Sequence, residues 1–481
     1  MDSNTFIPAD FLEKMATILP LHLDINELEA ACRRPLRRAI RVNTLKISIE
    51  DFLLIAASKQ WLLTPIPWCT AGFWIENDND SIPLGNSAEH LAGLFYVQEA
   101  SSMMPVSALL HHFKATDNPT LLDAAAAPGS KTTQLSAAVN NQGLIIANEY
   151  SSSRIKMLHA NIQRCGIKNV ALTHFDAAVF GTWLPNTFDA ILLDAPCSGE
   201  GTIRKDKHAM KNWDQSAIES IATQQKSLIE SAFQALKPDG VMVYSTCTLS
   251  LEENQEVCLH LQQKFPESVE FLSLATLFPG AEKTLTEQGF LHIWPQVYDT
   301  EGFFVAAIKK CHAVEHETAQ KRLGKFPFQP ATATVKKSLL SYLEQQFMIT
   351  DLCGVLYQRD AEFWLFPENI VPLINELRFS RLGIKIAEQF GKGRKSGFKL
   401  THEFASCYGQ QAQSNVLELA AHQAKAYYQG RDIHDIDTST SKGEVLLSYQ
   451  QHIIGLGKSL DNRVKNNLPR DLIIDSNLFE Q

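Results

Sequence analysis

Two cysteines stand just past short apolar runs, in Ile191-Leu192-Leu193-Asp194-Ala195-Pro196-Cys197 and in Val243-Tyr244-Ser245-Thr246-Cys247. A thiol at the end of a strand is placed for chemistry, provided positive charge or hydrogen-bond donors can hold it as thiolate. The other seven, Cys32, Cys69, Cys165, Cys258, Cys311, Cys353 and Cys407, read as small buried hydrophobes, the usual state of a free cysteine. Three acids close other apolar runs: Asp123, Glu149 and Asp176. Each alone reads as a loop carboxylate. Together, at consecutive strand ends, they point to a nucleoside cofactor, with Glu149 placed for ribose hydroxyls and Asp176 for an adenine edge.

The run Asp123-Ala124-Ala125-Ala126-Ala127-Pro128-Gly129-Ser130-Lys131-Thr132 follows the first of these strands, and its small side chains let a ligand approach the backbone. A phosphate-binding loop would need glycine at 124 or 125 and an unbroken Gly-Lys-Ser/Thr. Here Ser130 separates Gly129 from Lys131, so nucleotide hydrolysis is disfavoured, and the dinucleotide fingerprint is missing.

The elements that must position these groups are legible between residues 118 and 309, where apolar runs alternate with helical stripes. That alternation predicts a doubly wound α/β domain. Strands are expected at 120–123, 144–147, 170–173, 189–193, 241–245 and 303–308. Ile155, Leu158, Ile162 and Cys165 share one helix face, with Ser151 as N-cap and Gly166 as stop. A second stripe, Ile218 to Leu236, ends at Lys237-Pro238-Asp239-Gly240. The first hundred residues read as helical and mixed. A linker begins after Lys310, and the last stretch, around Val445-Leu446-Leu447 and Ile453-Ile454-Gly455-Leu456-Gly457-Lys458, reads as short strands with glycine turns. We divide the chain at 1–105, 106–310, 311–390 and 391–481.

At 481 residues the chain is long enough for about three domains. With 45% hydrophobic and 20% charged residues it is a globular sequence, neither disordered nor collagen-like. The net charge of −9 argues against a protein that coats nucleic acid over its whole surface. Two local runs reverse the sign. Arg33, Arg34, Arg37, Arg38, Arg41 and Lys46 occur with no acid between 32 and 46, and residues 377–400 hold seven cations, including Arg394 and Lys395, against Glu388 alone. Either run contacts phosphate or is a solvated face. No CxxC pair or Cys/His cluster has metal spacing, so no metal is expected, and the odd cysteine count indicates a reducing compartment. No secretory signal and no apolar run of membrane-spanning length is present, which predicts a cytoplasmic protein without a membrane partner.

At these residues the chain resembles the Nop/Sun RNA 5-methylcytosine methyltransferases. DAAAAPGSKT matches the family's cofactor loop, DAPCSGEG its Pro-Cys motif and YSTCTLSLEENQ its Thr-Cys motif, with RVNTL at 41–45 and QEASSM at 98–103 upstream. The likeness runs to about residue 310. Beyond it, YYQGRDI and IGLGKSLDNRVKN look like the PUA-type RNA-binding module of a bacterial member that methylates 16S ribosomal RNA. The family's loop often reads Pro-Gly-Gly-Lys; Ser130 here tightens the clearance but keeps a donor.

The resemblance implies a Rossmann-like class I methyltransferase domain, flanked by a small N-terminal domain and a C-terminal region ending in a PUA-like module. It implies S-adenosyl-L-methionine held by Ala125, Ala126, Ala127, Pro128, Gly129, Ser130, Lys131, Glu149, Asp176 and Asp194. Carbon 5 of cytosine is too weak a nucleophile to take a methyl group unless a thiolate first adds at carbon 6, and loss of the carbon 5 proton must then release that thiolate. The resemblance assigns addition to Cys247, release to Cys197 and a hydrogen bond to the cytosine edge at ring nitrogen 3 to Asp194. The expected partner is 16S ribosomal RNA, in the small ribosomal subunit. Three other readings remain: a DNA-type enzyme with its nucleophile at Cys197, a methyltransferase acting on another RNA such as tRNA, and a noncatalytic assembly factor that binds ribosomal RNA.

Overall fold

The computed structural model describes residues 5–77, 82–114, 117–317, 319, 321, 323–391, 397–437, 443–475 and 478–479. Helices α1 (Ala9–Ile18) and α2 (Ile25–Cys32) open the chain; the Asp24 carboxylate caps α2 by accepting from the Asn26 amide. A four-stranded antiparallel sheet follows, built from β1 (Ala39–Val42), β2 (Leu62–Ile66), β3 (Cys69–Glu76) and β4 (Phe95–Val97) in the order β2-β3-β1-β4. Helix α3 (Ile49–Ser58) precedes β2 and the short α4 (Ala88–Leu91) precedes β4.

The central domain begins with α5 (Met104–His112), then β5 (Thr120–Asp123), α6 (Ser130–Ala138), β6 (Leu144–Asn148), α7 (Ser152–Arg164), β7 (Val170–Thr173), α8 (Phe180–Trp183) and β8 (Phe188–Asp194). It continues with α9 (Gln215–Ala235), β9 (Leu236–Thr246), α10 (Gln255–Lys264), β10 (Val269–Leu272), β11 (Leu291–Ile293), α11 (Pro295–Tyr298) and β12 (Phe303–Lys310). The five strands β9-β8-β5-β6-β7 run parallel, while β12 and β10 extend the sheet antiparallel beyond β9. Residues 144–147 and 170–173 are buried throughout, the composition expected of strands covered on both faces. Strand order reverses at β5, whose neighbours are β6 on one side and β8 on the other, and the crevice at their carboxyl ends is where such sheets bind ligands. This is the doubly wound α/β domain expected from the alternation.

The C-terminal region holds β13 (Gln329–Pro330), α12 (Ala333–Phe347), β14 (Val355–Arg359), β15 (Glu362–Phe366), β16 (Arg381–Leu382), β17 (Ile384–Phe390), β18 (Gly397–Leu400) and α13 (His402–Tyr408). It ends with β19 (Val416–Glu418), α14 (Ala421–Tyr428), β20 (Gly443–Tyr449), β21 (His452–Leu460) and β22 (Arg463–Asn466). These make two sheets, β13-β14-β15-β17-β18 and β19-β20-β21-β22, while β16 leaves them to pair antiparallel with β7 at the edge of the central sheet. An exposed sheet edge is thereby covered from within the chain.

The parts share cores. Phe11, Met15 and Leu28 of α1 and α2 pack on Ile203 and Leu249, behind the two cysteine loops. Ile40 and Phe95 of the first sheet and Phe52 of α3 lie in one cluster with Tyr427 of α14 and Val445 and Leu447 of the last sheet, so the N-terminal and C-terminal regions meet.

Several local expectations change in three dimensions. Ser151 occupies the N-cap of α7, but its hydroxyl bonds Ser153 Oγ rather than a first-turn amide. The α9 helix stops at Ala235, and Lys237-Pro238-Asp239-Gly240 already lies in β9. Gly455 and Gly457 are not turn residues but lie inside β21, where a Cβ would come within 2.0 Å of the Tyr427 hydroxyl and 2.3 Å of Val464 respectively. The turn itself is made by Gln450 and Gln451, both at positive φ. Cys32, Cys69, Cys165 and Cys258 are buried, whereas Cys311 and Cys407 are half-buried and Cys353 is exposed.

Candidate active site

The cysteine loops are locked together before any substrate arrives. Cys197 Sγ and Cys247 Sγ lie 3.2 Å apart as free thiols at the ends of adjacent strands β8 and β9. Gly201 N–H donates to Cys247 O (2.9 Å), and Gly302 N–H donates to Gly201 O (3.0 Å). A Cβ on Gly201 would fall 2.0 Å from Gly302 O, so only glycine permits this approach.

Beneath the loops two buried carboxylates hold both ends. Glu200 accepts from Trp213 Nε1, Thr248 Oγ1, Leu249 N and Ser250 Oγ. Glu253 accepts from Ser198 N, Ser198 Oγ, Gln225 Nε2 and Thr248 Oγ1, and burial pushes its carboxyl up. A side-chain hydrogen bond with Cys247 and burial push the Cys197 thiol well above the ordinary range.

Asp194 ends β8 beside the pair. Its Oδ1 accepts from Ser245 Oγ (2.7 Å) and its Oδ2 from Lys131 Nζ (2.7 Å). Burial works against charge on Lys131, but the Asp194 carboxylate outweighs it and holds the ammonium above its ordinary value. Lys131 also donates to Ser102 Oγ, and the adjoining Glu99 accepts from Ser102 N and Glu301 N. The segments RVNTL and QEASSM thus serve as braces. Arg41 donates to Ser130 O and Thr133 Oγ1, Asn43 to Gly93 O and Cys165 O, and Gln98 to Gln134 Oε1.

A cleft of about 450 Å³ opens between these groups and the acids. Ala124, Ala125, Ala127, Glu149, Asp176, Asp194, Cys197 and Cys247 line it, together with Tyr150, Leu193 and Leu228. Ala126 is buried beneath, Pro128 faces solvent, and Gly129 takes φ +106° to start α6, with a Cβ position only 3.0 Å from Leu158. Ser130 and Lys131 adjoin the cleft without lining it: the Ser130 carbonyl accepts from Arg41, and Lys131 Nζ reaches Asp194 on the cleft wall. Glu149 Oε2 accepts from Ala127 N (3.2 Å) and Oε1 from Ser151 N (2.8 Å), with Arg154 3.6 Å from Oε2. Each oxygen keeps a lone pair for a hydroxyl. Asp176 uses Oδ1 to cap the turn at Ala178. Asp123 stands behind, buried, with Oδ2 on Thr132 and Oδ1 unpartnered among the described residues; burial raises its carboxyl to about 6.

This donor and acceptor set fits S-adenosyl-L-methionine: acids for a ribose diol and an adenine edge, small side chains for close approach, and an apolar wall of Leu193 and Leu228. Among the described residues no group of three His, Cys, Asp or Glu side chains is placed to hold a metal. No described helix is long and apolar enough to cross a membrane.

Sequence reasoning missed Glu200, Glu253 and Tyr150. The two glutamates lie inside the cysteine motifs, and only their burial under both loops reveals what they do. The basic runs also change character. Arg41 and Lys46 are internal, Lys46 donating to Ala92 O and Ser406 Oγ with its ammonium lowered by burial to about 8. Arg381 pairs with Glu403, and Lys385 with Glu362 and Glu388. Arg394 and Lys395 lie outside the described residues.

Four family models match successive parts of the chain: the N-terminal domain of 16S rRNA methyltransferase RsmF at 7–100, 16S rRNA methyltransferase RsmB/F at 110–309, a pre-PUA domain at 328–407 and a PUA domain at 414–474. Ribosomal RNA small subunit methyltransferase F of Psychromonas ingrahamii is 66% identical over 479 residues, and that of Vibrio campbellii 55% over 484, each match covering all of both chains. Among solved structures, a methyltransferase homolog from Pyrococcus horikoshii is 32% identical, with a TM-score of 0.52 over 63% of this chain and 100% of that one. NSun6 from the same organism, at 22% identity and a TM-score of 0.55 over 63% and 98%, shares the fold. Identity of this order over full length, on a site with both cysteines in place, shows that the chain belongs to the ribosomal RNA small subunit methyltransferase F family of Nop/Sun RNA methyltransferases.

Proposed function

We propose that this enzyme transfers a methyl group from S-adenosyl-L-methionine to carbon 5 of a cytidine in 16S ribosomal RNA, through a covalent adduct between Cys247 and carbon 6 of the base. The observation that carries this reading is the Cys197–Cys247 pair, 3.2 Å apart on the rim of a cleft whose other groups suit a nucleoside.

The cofactor supplies an electrophilic methyl group. Ala125, Ala127, Glu149 and Asp176 hold it, on the support of Ala126, Pro128, Gly129 and Ser130. Cys247, the cysteine of the Thr-Cys motif, adds to the base, with Cys197 beside it at 3.2 Å. Asp194 and Lys131 act as a unit. The ion pair leaves Asp194 an acceptor matched to the exocyclic amine of cytosine, and Lys131 a donor for its acceptor edge at nitrogen 3. A hydrogen bond donated there draws electron density from the ring and favours thiolate addition. Elimination of Cys247 then requires a base to take the carbon 5 proton, and Cys197, 3.2 Å from the leaving sulfur, takes it as thiolate. The target base must leave its stack to present its face to these thiols.

Residues 1–105 back the cysteine loops through α1 and α2, 106–310 carry the chemistry, and 311–390 with 391–481 engage RNA in the small subunit, in the cytoplasm. Mapping 5-methylcytosine in ribosomal RNA from cells with and without the gene tests this reading. One cytidine should lose its methyl group, and an unchanged map refutes the assignment.

A further inference from the structure

A second groove, of about 650 Å³, lies where the C-terminal region meets the β7 edge of the central sheet. It is bounded by Lys321 and residues 323–328, by Arg359 and Trp364 of β14 and β15, and by Ile374, Asn375 and residues 377–382 leading through β16. Among the described residues no carboxylate lines it, in a chain of net charge −9. Its floor is aromatic and guanidinium. Arg359 sits 5.0 Å from the ring centre of Phe328 and 5.4 Å from that of Trp364, and Arg381 sits 4.9 Å from Trp364. Lys321, Arg359 and Arg381 are each neutralised by a glutamate outside the groove lining. Two exposed cations remain on its rim, Lys325 and Arg378, and neither has an ion pair among the described residues.

The pairing register places this groove. Arg381 faces Leu172 and Leu382 faces Ala171, with Ser380 N–H donating to Leu172 O. Because β16 runs antiparallel to β7, the residues that precede Arg381 lie toward the carboxyl end of β7. The groove therefore opens at the carboxyl edge of the sheet, the edge that also carries the cofactor cleft.

We propose that this groove holds an unpaired stretch of the substrate ribosomal RNA, away from the target cytidine, and this rests on the RNA reading above. Bases stack on the half-buried Phe379 ring and the Arg359 guanidinium plane, and Lys325 and Arg378 meet the phosphates. Planar cationic and aromatic surfaces with a rim of free positive charge suit single-stranded RNA, whose bases offer π-faces and whose backbone offers charge.

The test uses the full-length enzyme and a ribosomal RNA fragment. The double variant Lys325→Gln/Arg378→Gln should flatten the salt dependence of affinity by roughly 0.7 for each phosphate no longer neutralised. Phe379→Leu should weaken binding about fivefold or more at unchanged salt slope. Both should raise KM for RNA while cofactor affinity stays at the wild-type value. Ultraviolet crosslinking to small subunits should attach nucleotides to the peptides around Phe326 and Phe379. Unchanged slope and affinity in both variants overturns the proposal, as does crosslinking only to a ribosomal protein. Failure of the parent reading is separately visible, as a wild-type enzyme that methylates no ribosomal RNA.

Discussion

Cys197 Sγ lies 3.2 Å from Cys247 Sγ, although 50 residues separate them in the chain. Two thiols at that distance titrate as a pair rather than as separate groups. The two motifs nevertheless give them different roles. This predicts opposite phenotypes. Cys247→Ala should lose methylation and any covalent RNA adduct. Cys197→Ala should add and methylate once, then persist as a protein–RNA species on denaturing electrophoresis. The reverse pattern would identify Cys197 as the nucleophile, and free turnover of Cys197→Ala would make it a packing residue.

Glu149 should govern cofactor affinity. Glu149→Ala removes an acceptor for ribose and also frees the Ala127 and Ser151 amides, so calorimetry should show S-adenosyl-L-methionine binding weakened by about 1–3 kcal/mol. Glu149→Gln, which keeps one acceptor oxygen, should fall between. Wild-type affinity in the alanine variant would remove Glu149 from the cofactor site.

The Lys131–Asp194 pair is largely shielded, and removing one partner strands the other. Lys131→Met should cost about 3 kcal/mol of stability and abolish methylation, because Asp194 is left with Ser245 alone. If the pair reads the base, a folded Asp194→Asn variant should lose kcat on RNA while still binding cofactor. Retained kcat would reduce Asp194 to a structural anchor.

Glu301 is buried beside Glu99, facing Lys205, Lys131 and Arg204, and burial followed by the Glu99 charge raises its carboxyl to about 7. The folded enzyme thus binds this proton more tightly than the unfolded chain does. The resulting stability is fully present below the unfolded value near pH 4.3 and is lost as pH rises toward 7. Asp123, raised by burial to about 6, adds a loss of the same sign. Glu301→Gln should flatten this part of the stability profile and raise the Tm at pH 8 by a few degrees, about 2–4 °C per kcal/mol. Parallel melting curves of variant and wild type from pH 5 to pH 8 would refute the assignment.

Period and local residue type settled much of this protein in one dimension. The strands ending at Asp123, Asn148 and Asp194 are apolar runs whose burial on both sheet faces leaves the sequence little alternative, and the small residues at 124–127 already declare a ligand's approach. Both cysteines are legible for the same reason, because a strand's end fixes where the next residues lie.

Charge was different. The basic run at 377–400 looks like a nucleic-acid surface when counted along the chain, yet Arg381 finds Glu403 22 residues on, and Lys385 finds Glu362 23 residues back. Pairing of β15 with β17 brings Glu362 in and the packing of α13 brings Glu403, and neither acid lies within the run. Arg41 and Lys46 likewise became internal ties between domains, because backbone carbonyls and hydroxyls from distant segments satisfy their donors. Lys131 meets Asp194 across 63 residues of chain for a related reason: β5 and β8 are neighbours in the sheet, and α6 starts where β8 ends. Local sequence determines which elements form and which side chains stand at their ends. Coulomb and hydrogen-bond partners depend on distance through space, so only the packed sheet decided which of those side chains face one another.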